Sequence, residues 1–263
     1  MGNSIGSSSD LDTKISKARK TKVLSLSDMK LKRLPDEVGE IEELKNLDIS
    51  QNKLKLFPEM VINLNRLKTL NISRNPLGRD LEVDMSVGLG SLTTLLMVEV
   101  GWEGGERVIF PSSLTTLNLS LNPISPSTIS SLSQSNMSLL TLDLSGCGLE
   151  IVVDEIGEMV SVRELLLDDN FISFLPSTIS SLSSLTTLSL KRNRMTGGGI
   201  PPSLFPMGRL ERVDLHGNDI SVGELREVEG FELFEERRRK LKSKQISGVR
   251  NSINYFDYYL LGG

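Results

Sequence analysis

The strongest constraint on this chain is an interval. Residues Leu44 to Leu54 read Leu-Lys-Asn-Leu-Asp-Ile-Ser-Gln-Asn-Lys-Leu, and the pattern LxxLxLxxNxL returns down almost the whole sequence. The opening position of each copy falls at Thr21, Leu44, Leu67, Leu92, Leu114, Leu139, Val162, Leu185 and Leu210, so successive copies are 22 to 25 residues apart. A short unit repeated at that period stacks side by side with its neighbours, each contacting only the next. Within a copy, Leu47 and Ile49 alternate onto one side of a short strand, and Leu44 and Leu54 enter the same interior from the flanking turns. One copy buries almost nothing alone. Stacked copies share a continuous apolar core, and the two ends need covers.

The pattern resembles that of the leucine-rich repeat family. The resemblance implies an α/β repeat solenoid, a curved leucine-rich repeat array of about nine repeats with a concave parallel sheet and helical caps. The predicted organisation is an arm and capping helix over residues 1–20, the solenoid over 21–222, a C-terminal capping helix over 223–245 and a disordered tail over 246–263. In this family the slot after the strand takes Asn or Cys. Here it reads Met29, Asn52, Asn75, Val100, Asn122, Cys147, Asn170, Asn193 and Asn218. The expected structural ladder is therefore Asn52, Asn75, Asn122, Cys147, Asn170, Asn193 and Asn218, each Asn bonding the backbone of the adjacent turn. Stranding such groups costs about 1–3 kcal/mol.

A length of 263 residues with 38% hydrophobic content permits one or two domains, and the repeats occupy nearly all of it. A net charge of −4 gives no electrostatic footprint for nucleic acid. A single cysteine allows no intramolecular disulfide, which points to a reducing compartment. The sequence has no apolar run long enough for a membrane span or a signal peptide, so the expected location is cytoplasmic.

The start MGNSIGSSSD places Gly2 before small uncharged residues, as N-myristoylation acceptors begin, although the pattern wants Ser or Thr where Gly6 stands. Two readings stand: a lipid acceptor at Gly2, or a plain Ser/Gly tail. Asp10 is predicted to cap a helix with Leu11, Ile15 and Ala18 on one face and a basic run, Lys14 to Lys22, nearby. Beside a lipid, that run would supply the second signal that stable anchoring requires; otherwise it is a solvated face. The MGNS start, the entry ISKARKTKVLSLSDMKLKRLP and the run Leu225-Arg226-Glu227-Val228-Glu229-Gly230 resemble the intracellular leucine-rich repeat proteins grouped around leucine-rich repeat-containing protein 57. That resemblance implies lipid-anchored membrane association and supports acylation at Gly2, with peripheral placement on the cytoplasmic face of a membrane.

The sequence offers little chemistry. His216 is the only histidine and Cys147 lies three repeats away, so no metal, cofactor or catalytic triad is expected and the chain reads as a non-enzyme. Gly197-Gly198-Gly199 lacks the Lys-Ser/Thr of a phosphate loop and reads as flexible linkage. Repeat four is the least regular, with the only Trp and no Asn; drift and a partner-contacting loop both explain it.

The outward strand positions are mostly Ser and Asn, with two departures: an apolar group, Leu96, Val98 and Leu121, and a charged group, Asp168, Asp169, Lys191, Arg192 and Asp214. Exposed apolar clusters rimmed by polar residues mark protein contacts. The expected function is an intracellular protein-binding scaffold, monomeric, with Gly2 as a membrane tether. The alternative is a regulatory subunit of a phosphatase or an effector of a small GTPase.

Overall fold

A computed structural model of the chain describes residues 8–78, 81–105, 107–135 and 137–246. Contacts divide the chain into two compact units, Met1–Leu139 and Leu140–Gly263.

The first unit opens with helix α1 (Ser8–Thr21), which buries Ile15 and Ala18. Asp10 lies within its first turn rather than ahead of it as a cap, a position where a carboxylate still opposes the helix dipole. Strands β1 (Val23–Ser25), β2 (Asn46–Asp48), β3 (Thr69–Asn71), β5 (Thr94–Leu96) and β7 (Thr116–Asn118) then pair in parallel, one per repeat. Their register sets Leu24, Leu47, Leu70, Leu95 and Leu117 side by side, all buried, because the alternating pattern turns every second side chain inward. Between them β4 (Val83–Asp84) and β6 (Val108–Ile109) pair in a second, two-stranded parallel sheet, so the return segments of repeats three and four are extended. Elsewhere the return path is 3-10, at Asp36–Val38 and Glu59–Asn63, or helical, at α2 (Pro126–Gln134). The Ser-rich α2 holds because Thr128, Ile129 and Leu132 are buried on one face and Pro126 starts it.

The second unit repeats the plan with β8 (Thr141–Asp143), β9 (Glu164–Leu166), β10 (Thr187–Ser189) and β11 (Arg212–Asp214), and Leu142, Leu165, Leu188 and Val213 form its inner row. Its return turns are 3-10 at Asp154–Glu158, Ser177–Ser181 and Gly197–Gly199. The three glycines are not flexible linkage: Gly199 is buried, and a Cβ there would lie 2.0 Å from the carbonyl oxygen of Ser173. Close backbone approach is what the glycine permits.

The segment expected as one capping helix forms two, α3 (Val222–Glu227) and α4 (Phe231–Ile246). Ser221 and Glu224 make a reciprocal capping box at the start of α3. The break falls at Gly230, which takes φ 77° against the ring of Pro206. The turn lets Phe231 and Phe234 both pack on Phe205, with ring centroids 5.0 and 5.1 Å away. Gly2 and residues 247–263 lie outside the described residues, and with them the lipid acceptor and most of the tail.

Candidate protein-binding surface

Interior amides hold the strand ends in place. Asn52 Nδ2 donates to the carbonyls of Leu26, Ile49 and Ser50, and its Oδ1 accepts from the N–H groups of Met29 and Leu31, at 2.8–3.1 Å. Asn75, Asn122, Asn170, Asn193 and Asn218 likewise bond both their own turn and the preceding one. At the three slots without Asn, Met29, Val100 and Cys147 donate their N–H to Asn52, Asn122 and Asn170, while the Cys147 thiol lies 3.7 Å from the carbonyl of Ser145. Each Asn side chain closes three to five backbone groups that burial would otherwise strand.

Just past every strand of the repeat ladder, though not past β4 or β6, the chain turns left-handed. Asp28, Gln51, Arg74, Glu99, Leu121, Gly146, Asp169, Arg192 and Gly217 all have positive φ, between 49° and 75°. This turn fixes the outward columns on which both sequence-identified groups sit.

In the first unit, Leu96 lies in register between Asn71 and Asn118, half-buried. Val98 follows two residues on, half-buried, and its N–H bonds Ser73 Oγ at 3.1 Å. The two share one face of their repeat. Leu121 stands in the left-handed position of the next repeat with φ 58° and is 49% exposed. A leucine there has neither the conformational ease of glycine nor the shelter of the core.

In the second unit the five charged residues form two separate groups, and Arg212, outside the sequence-identified set, adds to the first. Lys191 reaches Asp214 at 3.3 Å and Asp168 at 3.9 Å, and its N–H donates to Asp168 at 2.8 Å. Arg212, in the first outward column, lies 3.6 Å from Asp214, whose residue exposure is 4%. In that column, which otherwise holds Val23, Asn46, Glu164 and five Thr, Arg212 is the one cation, a signal the sequence carries. Ser189 shares the Asp214 column, between Leu166 and Asp214, and its buried hydroxyl has no partner among the described residues. Asp169 and Arg192 form a separate two-pronged pair. The hydrogen bonds from Arg192 hold the Asp169 carboxyl below its ordinary range, and the same contact raises the guanidinium. The network is largely self-neutralised, so it presents shape and hydrogen-bonding atoms more than net charge. His216 is exposed, with its N–H 3.3 Å from Asp214 Oδ1. Among the described residues no group of three or more His, Cys, Asp or Glu could hold a metal ion, and no helix is long and apolar enough to cross a membrane.

Comparison with known proteins agrees with this architecture. The family described as Leucine rich repeat matches residues 19–77, and a second one, described as Leucine Rich repeat, matches 111–133 and 135–150. Two curated relatives align with part of the chain. MAP kinase phosphatase with leucine-rich repeats protein 1 of Dictyostelium discoideum is 34% identical over 110 residues, which cover 41% of this chain and 13% of that protein. Chaoptin of Tribolium castaneum is 32% identical over 139 residues, covering 52% and 17%. The chain thus spans less than a fifth of the length of either relative. Among solved structures, a leucine-rich repeat protein of Leptospira interrogans matches with TM-score 0.50 and 27% identity, over 87% of this chain and 49% of that one. Internalin C2 of Listeria monocytogenes matches with TM-score 0.58 and 21% identity, over 78% and 92%. The Toll–Spatzle complex of Drosophila matches with TM-score 0.61 and 21% identity, over 87% and 29%, and like internalin C2 it shows the fold alone. The period, the parallel strands, the interior amides and these likenesses agree: the chain has the leucine-rich repeat fold.

Proposed function

We propose that this protein is a cytoplasmic binding scaffold that holds one or more partner proteins on the outward positions of its strands, at Leu96, Val98 and Leu121 in the first unit and, as a surface of its own, at Asp168, Asp169, Lys191, Arg192 and Asp214 in the second. Leucine-rich repeat proteins are typically non-enzymatic and commonly bind other proteins. The observation that carries the assignment here is Leu121, an apolar side chain in a left-handed position and 49% exposed, where core packing gives no reason for leucine. The test compares wild type with Leu96→Ser/Val98→Ser/Leu121→Asn in crosslinking from cell extract with identification by mass spectrometry. A partner recovered reproducibly by wild type and lost with the variant, at unchanged Tm, supports the reading; identical recovery overturns it.

A second reading, regulation of a phosphatase, is favoured by one observation: a relative of part of this chain is named as a MAP kinase phosphatase with leucine-rich repeats. Recovery of a phosphatase catalytic subunit in the same crosslinking would select it. Membrane tethering through Gly2 rests on the MGNS start, the basic residues of α1 and the resemblance to leucine-rich repeat-containing protein 57. Intact mass after coexpression with an N-myristoyltransferase tests it: the acyl increment should appear on wild type and vanish with Gly2→Ala.

A further inference from the structure

The strand face is not the only part of the second unit with unusual outward residues. On the flank just past the amide slots, the backbones of repeats six, seven and eight run side by side: Phe171 N–H donates to Leu149 O at 2.8 Å and Arg194 N–H to Ile172 O at 2.9 Å. Leu149, Val152, Ile172, Leu175 and Met195 point inward and are buried. Between them Ile151, Phe171 and Phe174 point outward, 41%, 46% and 48% exposed. Ile151 and Phe174 hold equivalent places in neighbouring repeats, as do Phe171 and Arg194. Among the described residues no other phenylalanine is exposed. Each of these side chains would lower its hydration cost by turning inward, and the packed row beneath leaves it no room.

Two features organise the patch. The guanidinium of Arg194 lies 4.5 Å above the Phe171 ring centroid, a stacking that fixes its direction. No carboxylate pairs with it among the described residues, whereas the neighbouring Arg192 is taken by Asp169. Phe174 is held from behind, because the Gly199 turn sits so close that a Cβ on it would lie 3.2 Å from the Phe174 Cα. Two exposed aromatic rings beside an arginine oriented by stacking and without a carboxylate partner among the described residues are the composition of an interface centre.

We propose that this flank is a second docking surface, which takes a protein segment carrying an apolar side chain next to a carboxylate: the apolar group against Ile151, Phe171 and Phe174, the carboxylate on Arg194. Charge complementarity selects the acid, since Arg194 offers N–H donors that stacking leaves free at its edge. This surface uses none of the strand-face residues, so either assignment can fail without the other.

The test is selection of a phage-displayed library of random 12-residue peptides on the immobilised full-length chain. Selected peptides are then measured by fluorescence anisotropy. The expected result is enrichment of Phe, Leu or Trp beside Asp or Glu, with at least tenfold weaker binding by Phe171→Ser/Phe174→Ser. Arg194→Gln should weaken the acidic peptides several-fold and leave their Asn or Gln versions unchanged. Arg194 has an exposed side chain, so that variant decides the matter even where the double variant fails to fold. No enrichment, enrichment without acids, or binding lost with the strand-face triple variant instead would overturn the proposal. So would sedimentation showing a dimer that Phe171→Ser/Phe174→Ser converts to monomer, because the occupant would then be a second copy of the chain.

Discussion

Within the first unit the interior amide column is broken at Val100, whereas the second unit carries Asn170, Asn193 and Asn218 in succession. The backbone responds visibly. Where an Asn follows, the preceding turn gives its N–H to the Asn oxygen, as Leu149 does to Asn170 and Ile172 to Asn193, both at 3.0 Å. Where Val100 follows, Leu77 N–H turns back on its own strand end and bonds Asn75 O at 2.8 Å. Ile124 does the same to Asn122 O at 2.8 Å, and the next repeat in sequence carries Cys147. An amide is thus one of two ways to satisfy these donors, and the backbone alone supplies the second. On the strand face, the unit with the interrupted column turns apolar, at Leu96, Val98 and Leu121, while the unit with successive amides turns charged.

Six substitutions would sharpen or break that contrast. Asn170→Ala removes five bonds, two accepted and three donated, and should lower stability by about 3 kcal/mol or more in urea unfolding. A loss below about 1 kcal/mol would mean the backbone rescues itself everywhere. Asn122→Val copies the natural defect one repeat later and strands the N–H groups of Val100 and Trp102, so about 2 kcal/mol should be lost, while Val100→Asn should stay within about 1 kcal/mol of wild type. In the second unit Lys191→Met leaves the buried Asp214 carboxylate with Arg212 as its one charged partner among the described residues; thermal melts should register a cost of about 1–2 kcal/mol.

Acid offers a finer probe. Asp169 titrates below the ordinary carboxylate range because Arg192 bonds its ionised form, so its contribution is present above the unfolded value near pH 4 and disappears as pH falls through the lowered folded value. The pair is about half exposed, so solvent keeps the contribution under about 1 kcal/mol. Asp169→Asn should therefore narrow the stability gap between pH 7 and pH 3 by that small amount; an unchanged gap would show the pair contributes nothing. Smallest of all, Leu121→Asn should gain about 0.5 kcal/mol by relieving the left-handed turn, whereas a loss would place Leu121 in the core after all.

Much of this was legible in the chain before any coordinates. The 22 to 25-residue spacing located every ladder strand, because an alternating pair such as Leu47 and Ile49 can bury itself in only one way once its neighbours repeat it. Other features depended on spatial neighbours. Val83–Asp84 and Val108–Ile109 are too short to read as strands alone and pair only because stacking aligns them. Gly199 looked like slack until the Ser173 carbonyl was found against it, and Gly230 looked like helix until Pro206 did the same. The Phe171 and Phe174 patch escaped because the pattern predicts which positions point inward, and these lie beside it on a flank whose outward positions had not been read as columns.

The left-handed turn after each strand has a consequence for sequence variation. Its nine occupants, Asp, Gln, Arg, Glu, Leu, Gly, Asp, Arg and Gly, include long, short, charged and apolar residues, yet none is β-branched. A second substituent on Cβ collides with the backbone at positive φ, while an unbranched chain of any length or charge is tolerated at modest cost. In a saturation library this column should therefore admit nearly the whole alphabet apart from Val, Ile, Thr and Pro. It is the place where lineages, or an engineer, could rewrite what the surface recognises without disturbing the register of the strands beneath.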